Sequence, residues 1–324
     1  MRSAADDATL PLLFAFSADA LLAAQVADAC GLLLSPLEER PFEDGEEKVR
    51  PLVDVRGRDV YVISSLYGGE AESTNDRLCR LLFFIGCLKT NGAARVTAVA
   101  PYLCYMRKDR QTKPQDPVTG LYVAQLLEAM GADQVITLEA HNLSAFQNAF
   151  RRPTIHLTAH AEFAEHFAAL VGDAPTCVVS PDLGGAKRAE VFRALMEDRL
   201  QRPVASGFME KQRSMGKVTG ELFAGDVAGR TVLIIDDLIS SGTTMLRTAQ
   251  ACRDRGARCI YVCATHAVFC AAATAKLSDP SIDGVVVTDS IRPVPSLQAM
   301  PGVTIIPVAR ILSQAIRRDA AGGR

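Results

Sequence analysis

Short, nearly continuous apolar runs recur along this chain, each trailed by a stretch with helical spacing. They occupy residues 60–63, 95–99, 134–138, 177–179, 231–235, 258–264, 284–287 and 303–308. A strand with one wet face alternates polar and apolar side chains, whereas a strand covered on both faces stays apolar throughout. The runs therefore predict parallel strands between helical layers, an α/β fold with right-handed crossovers. Helix ends are legible between them. Ser17 is placed to cap a helix that stops near Gly31, Pro117 to open one running through Leu127 to Gly131, and Thr243 to open one ending at Gly256. So many strands over 324 residues suit two sheets better than one, with a boundary between residues 151 and 160. Residues 1–155 and 156–324 are the expected domains.

Charge and composition exclude several classes. Lys+Arg is 35 against Asp+Glu 37, a net charge of -2, so no nucleic-acid partner is expected. The longest apolar stretches, such as residues 10–15 and 81–85, are far too short to span a bilayer. Asp6 and Asp7 stand where a secretory signal carries positive charge. The nine cysteines, an odd number scattered over apolar segments, read as reduced thiols of a cytoplasmic protein. Cys259, Cys263 and Cys270, with His266, match the spacing of no common zinc site and read as small core residues.

In open parallel sheets, ligands bind beyond the carboxyl ends of the strands. After 95–99 come Arg107, Lys108 and Asp109; after 134–138 come Glu139, Ala140, His141 and Asn142. After 177–179 the chain reads Ser180-Pro181-Asp182-Leu183-Gly184-Gly185. After 231–235 it reads Asp236-Asp237-Leu238-Ile239-Ser240-Ser241-Gly242-Thr243-Thr244. Cations, a histidine, carboxylates and hydroxyls gathered around glycine suit a phosphorylated, metal-bound substrate. The last segment carries most information, because a helix N-terminus with free N–H groups holds phosphate and hydroxyls add donors. A simple helix cap accounts for one Asp, but not for two acids, Gly242 and four hydroxyls. Lys211 and Arg213 lie in a polar segment flanked by Gly207 and Gly216 that reads as a mobile loop, where charges are ordinarily just solvated.

The segment 236–244 resembles the phosphoribosyl-binding loop of type I phosphoribosyltransferases and of ribose-phosphate diphosphokinases. Further motifs narrow the choice: Phe42-Glu43-Asp44-Gly45-Glu46, Val55-Arg56-Gly57, Thr74-Asn75-Asp76, Pro101-Tyr102, Gly131-Ala132-Asp133, the Asp182 segment, Lys187-Arg188-Ala189 and Thr265-His266. They run in order through most of the chain, which is thus similar to the diphosphokinases. The resemblance implies two phosphoribosyltransferase-like domains, each a mostly parallel sheet flanked by helices. It implies transfer of the β,γ-diphosphoryl group of ATP to the anomeric hydroxyl of ribose 5-phosphate, giving 5-phosphoribosyl 1-diphosphate and AMP. It assigns catalysis to Lys211 and Arg213 on a closing loop. ATP falls to Phe42, Asp44, Gly45, Glu46, Arg107, Lys108 and Asp109. Ribose 5-phosphate falls to Asp236, Asp237, Ser240, Ser241, Gly242, Thr243 and Thr244, and Mg2+ to His141 and Asp182. A homo-oligomer, dimer or hexamer, is implied as well, since the 42–46 segment of the family reaches a neighbouring subunit's site.

The chain has no GxxxxGK[ST] or GxGxxG phosphate loop. It departs from the family at Lys108, where Gln is usual and a hydrogen-bond acceptor is lost, which bears on the choice of nucleotide. It departs also at Lys48 and Gln115, so weak dependence on inorganic phosphate is expected. A phosphoribosyltransferase shares the sugar loop without needing the 42–46, Asp182 or 211–213 segments. A non-catalytic regulatory homologue should lack the cations or the metal residues. A transcription regulator needs a basic helix-turn-helix, which is not visible at either end.

Overall fold

The computed structural model describes residues 10–69, 72–214, 217–270 and 272–322, with side chains described outside 210–221. The chain divides into two compact units, Met1–Leu157 with Val308–Arg324, and Thr158–Pro307.

The first unit runs β1 (Leu12–Ala15), α1 (Ala20–Cys30), β2 (Leu37–Pro41), β3 (Glu47–Pro51), β4 (Asp59–Ile63), α2 (Thr74–Thr90), β5 (Arg95–Ala100), α3 (Thr119–Ala129), β6 (Gln134–Leu138), α4 (Leu143–Ala149) and β7 (Thr154–Leu157). Its sheet has the order β1-β4-β5-β6-β7, parallel throughout. Alternate side chains of one strand enter opposite cores. Val60 and Val62 pack with Leu81 and Ile85 of α2 and Val123 of α3, whereas Tyr61 and Ile63 pack with Leu22 and Val26 of α1. Both faces are buried, hence the unbroken apolar runs. Strands β2 and β3 form a separate antiparallel hairpin.

The second unit runs α5 (His160–Val171), β8 (Thr176–Ser180), α6 (Ala186–Leu200), β9 (Ala205–Ser214), β10 (Lys217–Gly225), β11 (Thr231–Ile239), α7 (Thr243–Asp254), β12 (Cys259–Ala267), α8 (Ala273–Leu277), β13 (Gly284–Thr288), α9 (Pro295–Gln298) and β14 (Val303–Ile306). The sheet order is β10-β9-β8-β11-β12-β13-β14, parallel except for the β9–β10 pair. From β8 the chain builds outward to β9 and β10, then returns to the other side of β8 with β11. Order therefore reverses between β8 and β11, and the carboxyl ends of these two strands open a ligand crevice.

The α/β architecture matches the reading of the apolar runs, each of which falls within a strand or overlaps one. Four expectations need correction. Residues 205–214 and 217–225 pair as antiparallel strands where the sequence suggested a loop, and Gly207 faces Gly225, where an added Cβ would lie 2.7 Å from the Gly207 Cα. That close approach, with φ +137°, needs glycine at 225. Ser17 begins a 3₁₀ turn, and α1 starts at Ala20 without a side-chain cap. Helix α3 begins at Thr119, past Pro117. Finally, the closing helix α10 (Ala309–Ala320) belongs to the first unit, where Leu312 and Ile316 join Leu22 and Val26. Its Asp319 accepts from Tyr61 Oη at 2.6 Å and from Arg95 at 2.9 Å, so the second unit ends at Pro307 and not at 324.

Candidate functional site

In the second unit, β11 continues past its last pairing with β8, at Ile234–Val179, so Asp236 and Asp237 stand above the end of β8. Arg188, from the first turns of α6, reaches both: its guanidinium is 3.0 Å from Asp236 and 3.5 Å from Asp237. Asp237 also donates its backbone N–H to Asp236 Oδ1 at 2.9 Å. Burial first, then the neighbouring charge of Asp237, push the Asp236 carboxyl well above the usual range, and Arg188 pulls it back. Two adjacent buried carboxylates are costly without a counter-charge, and Arg188 supplies it.

Beyond the strand, Gly242 turns the chain with φ +71° into α7. An added Cβ there would lie 3.3 Å from Leu277 Cγ and 3.4 Å from the Ala273 carbonyl, so α8 packs directly on this turn. The Ser241 and Thr243 hydroxyls are 3.0 Å apart, and Lys276 of α8 donates to Thr243 Oγ1 at 2.6 Å. The Ser240 carbonyl accepts from Cys270 N–H at 3.2 Å. The arrangement can hold a phosphoryl group at the α7 N-terminus and hydroxyls at the acid pair.

Asp182 follows β8. Its Oδ1 accepts from Gly185 N–H at 3.0 Å, and its carbonyl accepts from Ser180 Oγ at 2.6 Å. Asp182 thus builds the turn at the crevice, a local role that sits beside its proposed one. His266 is buried, with Nδ1 2.9 Å from Ser290 Oγ. The backbones of Lys211 and Arg213 lie in β9 opposite Glu221 and Val218; their side chains lie outside the described residues.

In the first unit, Phe42, Asp44, Gly45 and Glu46 form the tip joining β2 to β3. Phe42 N–H donates to the Glu46 carbonyl at 2.8 Å, Asp44 Oδ1 accepts from Glu46 N–H at 3.1 Å, and Gly45 takes φ +89°. Phe42 is 42% exposed, and the Arg40 guanidinium lies over its ring, 5.4 Å from the centroid. Lys48 is paired across the hairpin with Glu38 at 3.3 Å. Lys108 pairs with Asp116 and donates to Thr112 Oγ1 at 3.0 Å, folding its loop on itself. Those bonds hold the Asp116 carboxyl below the usual range. Arg107 is exposed. Asp109 accepts from Asn142 Nδ2 at 2.6 Å, which ties the loop after β5 to the His141 segment after β6. Asn142 also caps α4.

Sequence reasoning missed several residues here. Arg188 lay in a matched motif without a role, because nothing local says that α6 turns it toward β11. Lys276 gave no signal at all. Tyr105 and Glu139 adopt left-handed backbone at φ 62° and 47°, beside the Arg107 and His141 segments. Such strain in non-glycine residues concentrates at functional sites. Among the described residues, no three His, Cys, Asp or Glu side chains gather closely enough to hold a metal ion, and no helix is long and apolar enough to cross a membrane.

Comparison with known proteins gives concordant results. Residues 12–131 match the model for the N-terminal domain of ribose phosphate pyrophosphokinase, and residues 179–322 match the phosphoribosyl synthetase-associated domain. The ribose-phosphate pyrophosphokinase of Pasteurella multocida is 33% identical over 308 residues, covering 94% of this chain and 95% of that protein. The one from Caldanaerobacter subterraneus subsp. tengcongensis is 35% identical over 311 residues, covering 96% and 95%. The crystal structure of phosphoribosylpyrophosphate synthetase from Mycobacterium smegmatis superposes with a TM-score of 0.87 at 30% identity, over 96% of this chain and 99% of that one. Likeness that spans both units, and both chains almost end to end, leaves no room for a shared module alone: this chain belongs to the ribose-phosphate pyrophosphokinase family.

Proposed function

We propose that the chain transfers the β,γ-diphosphoryl group of ATP to the 1-hydroxyl of ribose 5-phosphate, releasing AMP and 5-phosphoribosyl 1-diphosphate. The observation that carries this reading is the Asp236–Asp237 pair running into the Ser240–Thr244 cradle where strand order reverses. The cradle receives the 5-phosphate, and the acids accept hydrogen bonds from the ribose hydroxyls. ATP is taken by the exposed tip at Phe42, Asp44, Gly45 and Glu46 and by Arg107, Lys108 and Asp109. Lys211 and Arg213 meet the charge that develops on the transferred group.

Mg2+ keeps several waters and substrate phosphates and takes few protein oxygens, so one or two protein ligands suffice for it. Asp182 of the second unit and His141 of the first are each candidate Mg2+ ligands, and the ion would neutralise phosphate charge. Nine free thiols suit a reducing cytoplasm. A homo-oligomer places the exposed 42–46 tip against a neighbouring copy. Lys48, engaged by Glu38, supports weak dependence on phosphate.

Purified protein with Mg2+, ATP and ribose 5-phosphate should form AMP and 5-phosphoribosyl 1-diphosphate in equal amounts. Lys211→Ala should cut turnover about 100-fold or more with little change in melting temperature. Neither product forming would overturn the reading; a normal rate in Lys211→Ala would remove that residue from the chemistry. The same assay should show no steep activation by phosphate, and a steep curve would overturn that part.

A further inference from the structure

We infer that Lys276 is the cation of the sugar-phosphate cradle: it turns the cradle hydroxyls outward as donors and sets its charge against a phosphate monoester dianion. This rests on the proposed function of the same site. The argument begins with donor counting. An ammonium has only protons to offer, so Thr243 Oγ1, 2.6 Å from Lys276 Nζ, must accept from it. The single Thr243 proton then points elsewhere, to Ser241 Oγ at 3.0 Å or to a ligand. When Ser241 accepts it, the Ser241 proton is left to donate. Each arrangement runs outward from Lys276 and ends in a donor, never an acceptor, facing the cradle. A neutral residue at 276 leaves the Thr243 proton free to turn inward.

The second strand of the argument is charge. Lys276 is half-buried and, among the described residues, its ammonium contacts no carboxylate. It stands against the N-terminus of α7, itself a positive pole with unsatisfied N–H groups. Two positive poles side by side in a partly desolvated place repel each other, and a dianion bound between them relieves both. The plainer reading is that Lys276 complements the carbonyl end of its own helix, where it lies in the last turn. But α8 is a five-residue helix with little dipole, and the ammonium reaches the Thr243 hydroxyl across 33 residues of chain instead of an α8 carbonyl. The backbone contact of Ala273 and the side chain of Leu277 with the Gly242 turn fix that reach.

The test is steady-state kinetics and calorimetry on Lys276→Gln and Lys276→Arg. Loss of one charge-assisted hydrogen bond should raise the KM for ribose 5-phosphate about 10- to 100-fold in the Gln variant, with the KM for ATP held within about twofold. The Arg variant should recover most of the loss. Added KCl should raise the wild-type KM for ribose 5-phosphate more steeply than that of the Gln variant, since only the former has the extra charge to screen. Lys276→Met serves if the Gln variant does not fold. An unchanged KM for ribose 5-phosphate, or equal rises for both substrates, would overturn the inference. Calorimetric titration with ribose 5-phosphate reads the same difference without turnover. Wild-type protein that binds the sugar phosphate but makes no product therefore sinks the proposed reaction and leaves this inference to be decided by binding.

Discussion

Asp19 shows how burial can defeat an ion pair. Arg77 lies 3.4 Å from its carboxylate, yet desolvation outweighs that charge and pushes the Asp19 carboxyl up to about 6. A folded value above the unfolded one means that the native state binds the extra proton. The stabilisation is complete below about pH 4 and is lost as pH rises through about 6, a fall of about 3 kcal/mol from this one group. Asp19→Asn should remove that slope and raise the melting temperature at pH 7.5, while Arg77 keeps Glu72 at 3.1 Å and the Ser65 carbonyl at 2.8 Å. Melting curves between pH 4 and 8 check it, and an unchanged slope in the Asn variant counts against it. Nothing in the sequence marks Asp19 as special, because its environment comes from residues far along the chain. Asp236 and Asp237 differ: their adjacency, with glycine and hydroxyls following, was legible before any contact was known.

The hairpin of β2 and β3 presents the same contrast for an element. A two-stranded ribbon is marginal alone. Leu37 and Val49 pack against the first-unit core, and Arg80 of α2 supplies the polar anchor. Its guanidinium donates to Glu47 at 2.6 Å, pairs with Glu72 and lies 3.9 Å from Glu39. Arg80→Met leaves three acids without their shared counter-charge, at a cost of about 1–3 kcal/mol. Amide hydrogen exchange over residues 37–51 should quicken about tenfold while β4 to β6 stay protected; uniform exchange across the unit would refute the anchor. The motif at 42–46 was readable, but the hairpin carrying it was not. Its strands alternate weakly, and what holds them is α2, whose register against them no local pattern encodes. The antiparallel strands β9 and β10 escaped for a related reason: a polar strand pair with glycines has the composition of a loop.

At the scale of the whole chain, the first unit is discontinuous. Helix α10 packs beside α1 on the sheet face of Tyr61 and Ile63, through Leu312 and Ile316, and Asp319 fastens it to Tyr61 and Arg95. Leu312→Ala should cost about 2–5 kcal/mol and lower the melting of the first unit. Limited proteolysis should then cut first within residues 10–157 or 308–322, and first cuts in 158–307 would contradict this. The sequence by itself determined the α/β class and eight of the twelve strands in the two larger sheets, and it marked the candidate anion-binding turn, because strand burial and turn chemistry are written in local residue types. Tertiary structure alone decided strand order, and with it the reversal that sets the end of β11 beside that of β8. It alone brought Arg188 and Lys276 to the acids and hydroxyls, and returned the last helix to the first unit. Those choices are made by packing between residues distant in the chain, where hydrophobic burial is nondirectional and many arrangements satisfy the same local pattern.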